Sequence, residues 1–181
     1  MDEEQSLDVV KTPPGVRDVF GTVLETVTAG IRSLVHDSGR TGIPLGEAIA
    51  GVVTGAVKDA VGKGSDLVPA AKGILMGVVR GTGAKGEEGI RILSRAANAS
   101  IRQTADMGGD LAAASKGLIL GAIASAKNIG VDFAKAASAA AQGALEGAGE
   151  AGSVTAERVR VALKEPIGGI KVALPESASR K

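Results

Sequence analysis

From Val16 onward the apolar residues Val16, Val19, Phe20, Val23, Leu24, Val27, Ile31, Leu34 and Val35 fall at three- and four-residue steps, while Arg17, Asp18, Glu25 and Arg32 lie off that stripe. This spacing predicts an amphipathic helix that ends near Ser38-Gly39. Beyond it, long apolar-rich segments with no proline after their first turn alternate with short glycine punctuation. A glycine stands every 22 residues, at Gly42, Gly64, Gly86, Gly108, Gly130 and Gly152. Two other patterns share the beat. Asp66 to Gly77 reads DLVPAAKGILMG and Asp110 to Gly121 reads DLAAASKGLILG, two related strings 44 residues apart. Halfway along each unit, Ile31, Val53, Leu75, Ala97, Ile119, Ala141 and Leu163 recur at the same spacing and are all apolar or small. Repetition of this length points to one supersecondary unit per period, stacked on its neighbours.

Each unit has a similar grammar. Gly64-Ser65-Asp66, Gly108-Gly109-Asp110 and Gly130-Val131-Asp132 place a helix-ending glycine just before a helix-starting aspartate. Glycine can take the left-handed conformation that terminates a helix, and aspartate can accept from the exposed N–H groups that open the next. Pro44 and Pro69 fall in first turns, where proline is tolerated. One unbroken helix is the competing expectation, since six turns per 22 residues is the period of a right-handed supercoil. Against it stand the repeated caps and a glycine load that costs roughly 1 kcal/mol per helix-interior glycine. The expected fold is therefore all-α: an array of about seven short antiparallel helices on a 22-residue (44-residue hairpin) repeat, close-packed through Gly/Ala faces.

The two ends depart from the repeat. Residues 1–15 carry Asp2, Glu3 and Glu4 and finish at Pro13-Pro14-Gly15, which reads as a flexible acidic arm. Residues 16–165 form the helical repeat domain. Residues 166–181 form a C-terminal tail in which Ile170 to Leu174 alternates as a short extended segment does. Terminal units of an array are commonly atypical because they cap an exposed core.

Composition narrows what the core can be. Phe20 and Phe133 are the only aromatic residues and 27 glycines accompany abundant alanine, so Ala, Val, Ile and Leu must fill the interior. Small side chains imply close backbone approach. Lys and Arg total 21 against 20 Asp and Glu, which removes the footprint of a dedicated nucleic-acid binder, and the lack of Tyr and Trp removes base-stacking platforms. Cysteine is absent, so disulfides, thiolate metal sites and cysteine nucleophiles are too. The acidic start MDEEQSLDVV is unlike a secretory leader, and Glu47, Lys58, Lys72, Arg80, Lys116 and Lys127 interrupt every apolar stretch before it reaches membrane-spanning length. A cytoplasmic location is expected, with peripheral contact to a membrane or lipid surface left open.

No chemistry-bearing constellation emerges. Gly81-Thr82-Gly83-Ala84-Lys85-Gly86 matches GxGxxG but follows helical repeat sequence where a nucleotide loop needs a strand. His36 is the only histidine, with no nucleophile to pair with, and Glu87-Glu88 read as charges at a helix start. Arg91, Arg95 and Arg102 share one helix face, the solvated side of an amphipathic helix or a headgroup-contacting one. No catalytic, cofactor-binding or metal-binding residue is assigned, no cofactor is expected, and neither nucleic acid nor a small-molecule substrate is expected as a partner.

The strongest local motif is small-xxx-small: Gly51 and Gly55, Gly73 and Gly77, Gly117 and Gly121, and Ala139 and Gly143, extended by Gly81 and Gly147. Spacing by four keeps each set on one helix face, where two backbones can approach closely. Tight packing within the chain is the first reading of these faces, and a seam between subunits or against a bilayer is the second. Gly51-Val52-Val53-Thr54-Gly55 and Gly73-Ile74-Leu75-Met76-Gly77 resemble glycine-zipper proteins, and Ala134 to Gln142 is similar to the alanine-rich helices of phasins and late-embryogenesis proteins. The chain is more glycine-rich than the phasins and, at a mean hydropathy of +0.20, far less hydrophilic than desiccation proteins. The resemblance implies self-association or lipid surfaces. The expected function is a non-enzymatic structural protein that self-associates through small-residue helix faces into a homo-oligomer or filament. A peripheral lipid-surface coat or membrane-active helix bundle is the alternative.

Overall fold

The computed structural model describes residues 19–41 and 44–174. Among them the chain is all-α, with no strand and seven helices: α1 (Val19–Thr41), α2 (Leu45–Gly62), α3 (Leu67–Thr82), α4 (Gly86–Asp106), α5 (Leu111–Ile129), α6 (Phe133–Ala151) and α7 (Ser153–Lys164). The first helix continues to Thr41, past the expected stop at Ser38-Gly39. Residues 1–18, and with them the expected acidic arm, lie outside the described residues, as does Gly42.

Local chemistry sets the breaks. The Asp66 carboxylate accepts from the Val68 N–H (3.0 Å), Asp110 from Ala113 (3.0 Å) and Asp132 from Lys135 (2.7 Å), each satisfying an amide that the new helix leaves open. At the junction before α6, Gly130 takes φ +87 and donates its N–H to the Ala126 carbonyl, closing α5 in a conformation that a side chain would strain. Pro44 stands immediately before α2, and its carbonyl accepts from Glu47 and Ala48.

The three most extensive helix contacts each skip a helix: α4 with α6, α1 with α3, and α3 with α5. Odd-numbered helices thus lie side by side in one row and even-numbered helices in another, with α7 against both α5 and α6. The core between the rows is aliphatic and small. Ile31, Val53, Leu75, Ala97, Ile119, Ala141 and Leu163, one from each helix, are all 0% exposed. On α6 nearly the whole buried surface is alanine and glycine, with Leu145 the largest contributor. A helix so stripped of side chains must lie close to its neighbours to avoid leaving voids.

The chain does not trail away after α7. Ile167 and Ile170 exchange backbone hydrogen bonds of 2.9 and 3.0 Å across Gly168-Gly169. Both glycines have positive φ, +60 and +80, as a two-residue reversal of the type I′ class requires. The turn brings Gly168 against Leu120 and Ile123 of α5 and buries Ile167 and Val172. Residues 166–174, expected as tail, are therefore packed on the helices.

The caps give a direct test. Asp132→Ala should destabilise the protein by about 1 kcal/mol, while Asp132→Asn, whose side-chain oxygen can accept the same bond, should lose little, as read by urea denaturation followed by circular dichroism.

Candidate functional site

The small-residue faces are the strongest local motif of the sequence, so the site is built from them. On α3, a Cβ placed at Gly73 would meet the Phe20 carbonyl oxygen at 2.9 Å and the Leu24 nitrogen at 3.2 Å. One at Gly77 would meet Val27 Cβ at 2.8 Å, and one at Gly81 would meet Ile31 Cβ at 2.5 Å. The contacts advance together along both helices, so α3 and α1 run in the same direction where they touch.

The arrangement recurs twice. On α5, a Cβ at Gly117 would collide with the Val68 carbonyl oxygen, and one at Gly121 would lie 2.9 Å from the Lys72 carbonyl oxygen of α3. On α6, Cβ atoms at Gly143 and Gly147 would run into the Ser94 and Asn98 carbonyl oxygens of α4. Ala139, one turn before Gly143, is also buried. In each case the absence of a side chain on the later helix admits the backbone of the helix two places earlier, to distances at which dispersion and Cα–H contacts act.

Gly51 and Gly55 differ. Both are exposed, and a Cβ at either would meet nothing within 4 Å among the described residues. They line a groove of about 290 Å³ between α1 and α2, whose walls include Thr22, Thr26, Gly30 and Val52, with Asp59 at one end. Of the small-residue pairs singled out from sequence, this is the one that the described chain leaves uncovered.

The turn glycines follow the punctuation with one variation. Gly64, Gly108, Gly130 and Gly152 lie at or just past helix ends, and all have positive φ. Gly86, also at positive φ (+53), is instead the first residue of α4, and Gly83 (φ +66) takes the capping role at the end of α3. A three-residue shift in one loop accounts for the difference.

Side chains with chemical potential are dispersed. His36 is exposed on α1, and Glu87 and Glu88 occupy the first turn of α4. The GxGxxG residues span the end of α3 and the start of α4: Gly81 is packed on Ile31, and no strand precedes them. Among the described residues no three metal-ligating side chains come together. A polar groove of about 380 Å³ lies between α4 and α6, lined by Arg91, Ser94, Arg95, Asn98, Glu146 and Glu150. Within it Glu150 accepts from Asn98 Nδ2 at 3.0 Å and lies 4.0 Å from Arg102 Nε. An exposed pair of this sort steers orientation more than it stabilises.

One charged contact registers helix starts. Lys135 Nζ on α6 donates to Glu87 Oε2 on α4 at 2.8 Å. The hydrogen bond from Lys135, and then its charge, hold the Glu87 carboxyl below its ordinary 4.5, and the same two causes hold Lys135 above its ordinary 10.5. Beside it, Lys85 Nζ reaches the Asn128 carbonyl at 2.6 Å, and Gly89 lies under Ile129, so the start of α4 sits beside the end of α5.

Sequence reasoning located the small-residue faces but missed which helix each one meets, and it missed the Ile167–Ile170 turn. Adjacent glycines between two isoleucines were the available signal for the turn. No protein family, curated protein or solved structure matches the chain.

The two kinds of glycine predict opposite signs. Gly117→Ala or Gly143→Ala should cost about 1–3 kcal/mol, because backbone must move to admit the methyl group. Gly51→Ala should instead stabilise by about 0.5–1 kcal/mol through helix propensity, both read by thermal or urea denaturation of the monomer. The Glu87–Lys135 contact predicts a pH window. Folding lowers the Glu87 pKa, so its contribution is present above the unfolded carboxylate value and fades as pH falls through the folded one. Folding raises Lys135, so its contribution is complete below the ordinary lysine value and is lost as pH rises through the folded one. Lys135→Met should reduce the stability difference between pH 7 and pH 3, and NMR titration should show the Glu87 pKa rising toward its ordinary value, with Arg91 still holding it down.

Proposed function

We propose that this chain is a non-enzymatic structural module, an antiparallel helical array on a 22-residue repeat, that self-associates through a small-residue helix face. The repeat reading draws support from the seven 0%-exposed residues spaced 22 apart, one per helix. It also draws support from the similar spacing of the glycine–carbonyl contacts, which is 53 residues for Gly73 with Phe20, Gly77 with Leu24 and Gly81 with Thr28, and settles to 49 in the later helices. Gly117 with Val68, Gly121 with Lys72, Gly143 with Ser94 and Gly147 with Asn98 are each 49 residues apart. That separation is one 44-residue hairpin plus five residues. Successive hairpins would then slide past one another by about 7.5 Å at 1.5 Å per residue, and the close packing through Gly and Ala would run along the whole array.

The observation that carries self-association is the exposed Gly51–Gly55 face. Gly55 stands two 44-residue periods before Gly143, which presses on the Ser94 carbonyl, yet Gly55 meets nothing within 4 Å among the described residues. A second copy of the chain supplies helices of the composition that such faces accept elsewhere in the fold. On this reading no residue has a catalytic, cofactor-binding or metal-binding role, and the partner is the chain itself.

A peripheral lipid-surface coat is the second reading, favoured by the exposed Arg91 and Arg95 on α4, which suit anionic headgroups. No described helix is long and apolar enough to cross a membrane, so any such contact would lie in the interface.

Light scattering coupled to size-exclusion chromatography tests the proposal. The expected result is a mass above that of one chain, rising with concentration in lipid-free buffer. A single-chain mass at every concentration, together with flotation on vesicles containing anionic lipid, would replace the first reading with the second.

A further inference from the structure

The Gly51–Gly55 face has a definite place in the order of the array. On α3, α5 and α6 the glycine face receives backbone from a helix upstream of it. In the even-numbered row, to which α2 belongs, Gly143 and Gly147 of α6 receive the Ser94 and Asn98 carbonyls of α4 at a spacing of 49 residues. Counting back 49 residues from Gly51 and Gly55 reaches Asp2 and Ser6, and counting back 53 from Gly55, the spacing of α3 on α1, reaches Asp2. No described helix lies that far upstream, but the chain itself does. Residues 1–18 lead into Val19, where α1 begins, and α1 is the other wall of the groove.

We propose that residues 1–12 cover the Gly51–Gly55 face of their own chain, lying along α2 as α4 lies along α6. Connectivity supports this. Three residues separate Thr41 from Leu45, and a Cβ at Gly30 would meet Val52 Cγ1 at 3.4 Å, so α2 doubles back along α1 and Val19 stands toward the end of α2. At a spacing of 49, Pro13 falls level with Gly62, the last residue of α2, which puts the Pro13-Pro14-Gly15 break where the segment has to turn into α1. Residues 13–18 reach up to about 20 Å when extended, against roughly 8–10 Å between the axes of packed helices. Composition agrees as well. Ser6 stands two 44-residue periods before Ser94, whose carbonyl Gly143 receives, and it is the same residue type. Leu7, Val9 and Val10 bring apolar side chains to a groove walled by Val23, Val52 and Ala56. A segment tethered to the wall of its own groove also meets it at high effective concentration, without the association cost that a separate partner carries.

The docking stands on the glycine spacing and the connectivity. Its consequence rests on the self-association reading above: the segment and a second copy compete for one face, so the segment regulates assembly.

A nitroxide on the segment tests it. The chain has no cysteine, so Glu4→Cys, level with Val53 between the two glycines, gives a single attachment point. In NMR spectra of isotope-labelled, nitroxide-bearing protein diluted into excess unlabelled wild type, the Thr26, Gly51 and Gly55 amide signals should be lost. They should return when ascorbate reduces the nitroxide, while those of Val154 and Val161 on α7 keep their intensity throughout. Gly51→Leu with Gly55→Leu, both at exposed positions and verified as folded by circular-dichroism melting, should release the segment and restore the Thr26 signal. Full intensity at all three amides would overturn the proposal, as would a loss that persists in the leucine variant. Loss seen only when nitroxide and isotope sit on different copies would overturn it too, by assigning the segment to a neighbouring chain. Light scattering keeps the other reading separate. Leu7→Glu with Val10→Glu should raise the assembled fraction as the second copy takes the vacated face. A single-chain mass for both wild type and this variant, with the α2 signals still lost in wild type, would remove self-association and leave the docking standing.

Discussion

The fold depends on backbone meeting backbone. At Gly117, Gly143 and Gly147 the surface of one helix is its own main chain, and the neighbouring helix presents carbonyl oxygens where another protein would present side chains. Such contacts add to an aliphatic core that lacks aromatic bulk, in a chain with two phenylalanines and no tryptophan or tyrosine. Individually weak dispersion contacts become sufficient when they run along whole helices at minimum separation. The same closeness makes the packing intolerant, because a single methyl group on the wrong glycine has only a carbonyl to push against.

That intolerance gives the molecule two unlike ends. At the C-terminal end, α7 and the Ile167–Ile170 turn close over α5 and α6, and burial of Ile167 and Val172 anchors the closure. At the other, α2 carries the same kind of glycine face that its successors use, without a described helix upon it. A face evolved only for solvent would do better with helix-forming side chains at Gly51 and Gly55, since each glycine there weakens the helix and contributes no packing of its own.

Much of this was legible in the residues, and what was not has a physical reason. The all-helical class and most of the breaks follow from local rules: three- and four-residue apolar steps, and aspartates such as Asp66, Asp110 and Asp132 whose capping bonds reach only two or three residues. The candidate faces were legible as stripes for the same reason. Their partners were not, because a stripe states that a helix is approached closely without stating by which neighbour. Gly73 and Gly55 read alike in sequence, yet one lies against Leu24 and the other meets nothing among the described residues. Gly86 misled slightly because the loop before α4 offers a second glycine, Gly83, three residues earlier, and the helix end took that one. The Ile167–Ile170 turn went unread because the repeat had already stopped and its flanking residues are too few to show a period.

The similar separation between touching glycines and carbonyls, 49 or 53 residues, bears on how the chain acquires its shape. Each such contact closes a loop of about fifty residues wherever it occurs along the array. Loop-closure entropy grows only with the logarithm of that length, so every closure carries a similar cost, and none waits for the two termini to find each other. A polypeptide leaving the ribosome can therefore settle one helix after another in the order of synthesis, with the Ile167–Ile170 turn latching what is already formed. Lengthening such a chain by further helices in the same two rows would add mass without adding to the difficulty of any single step.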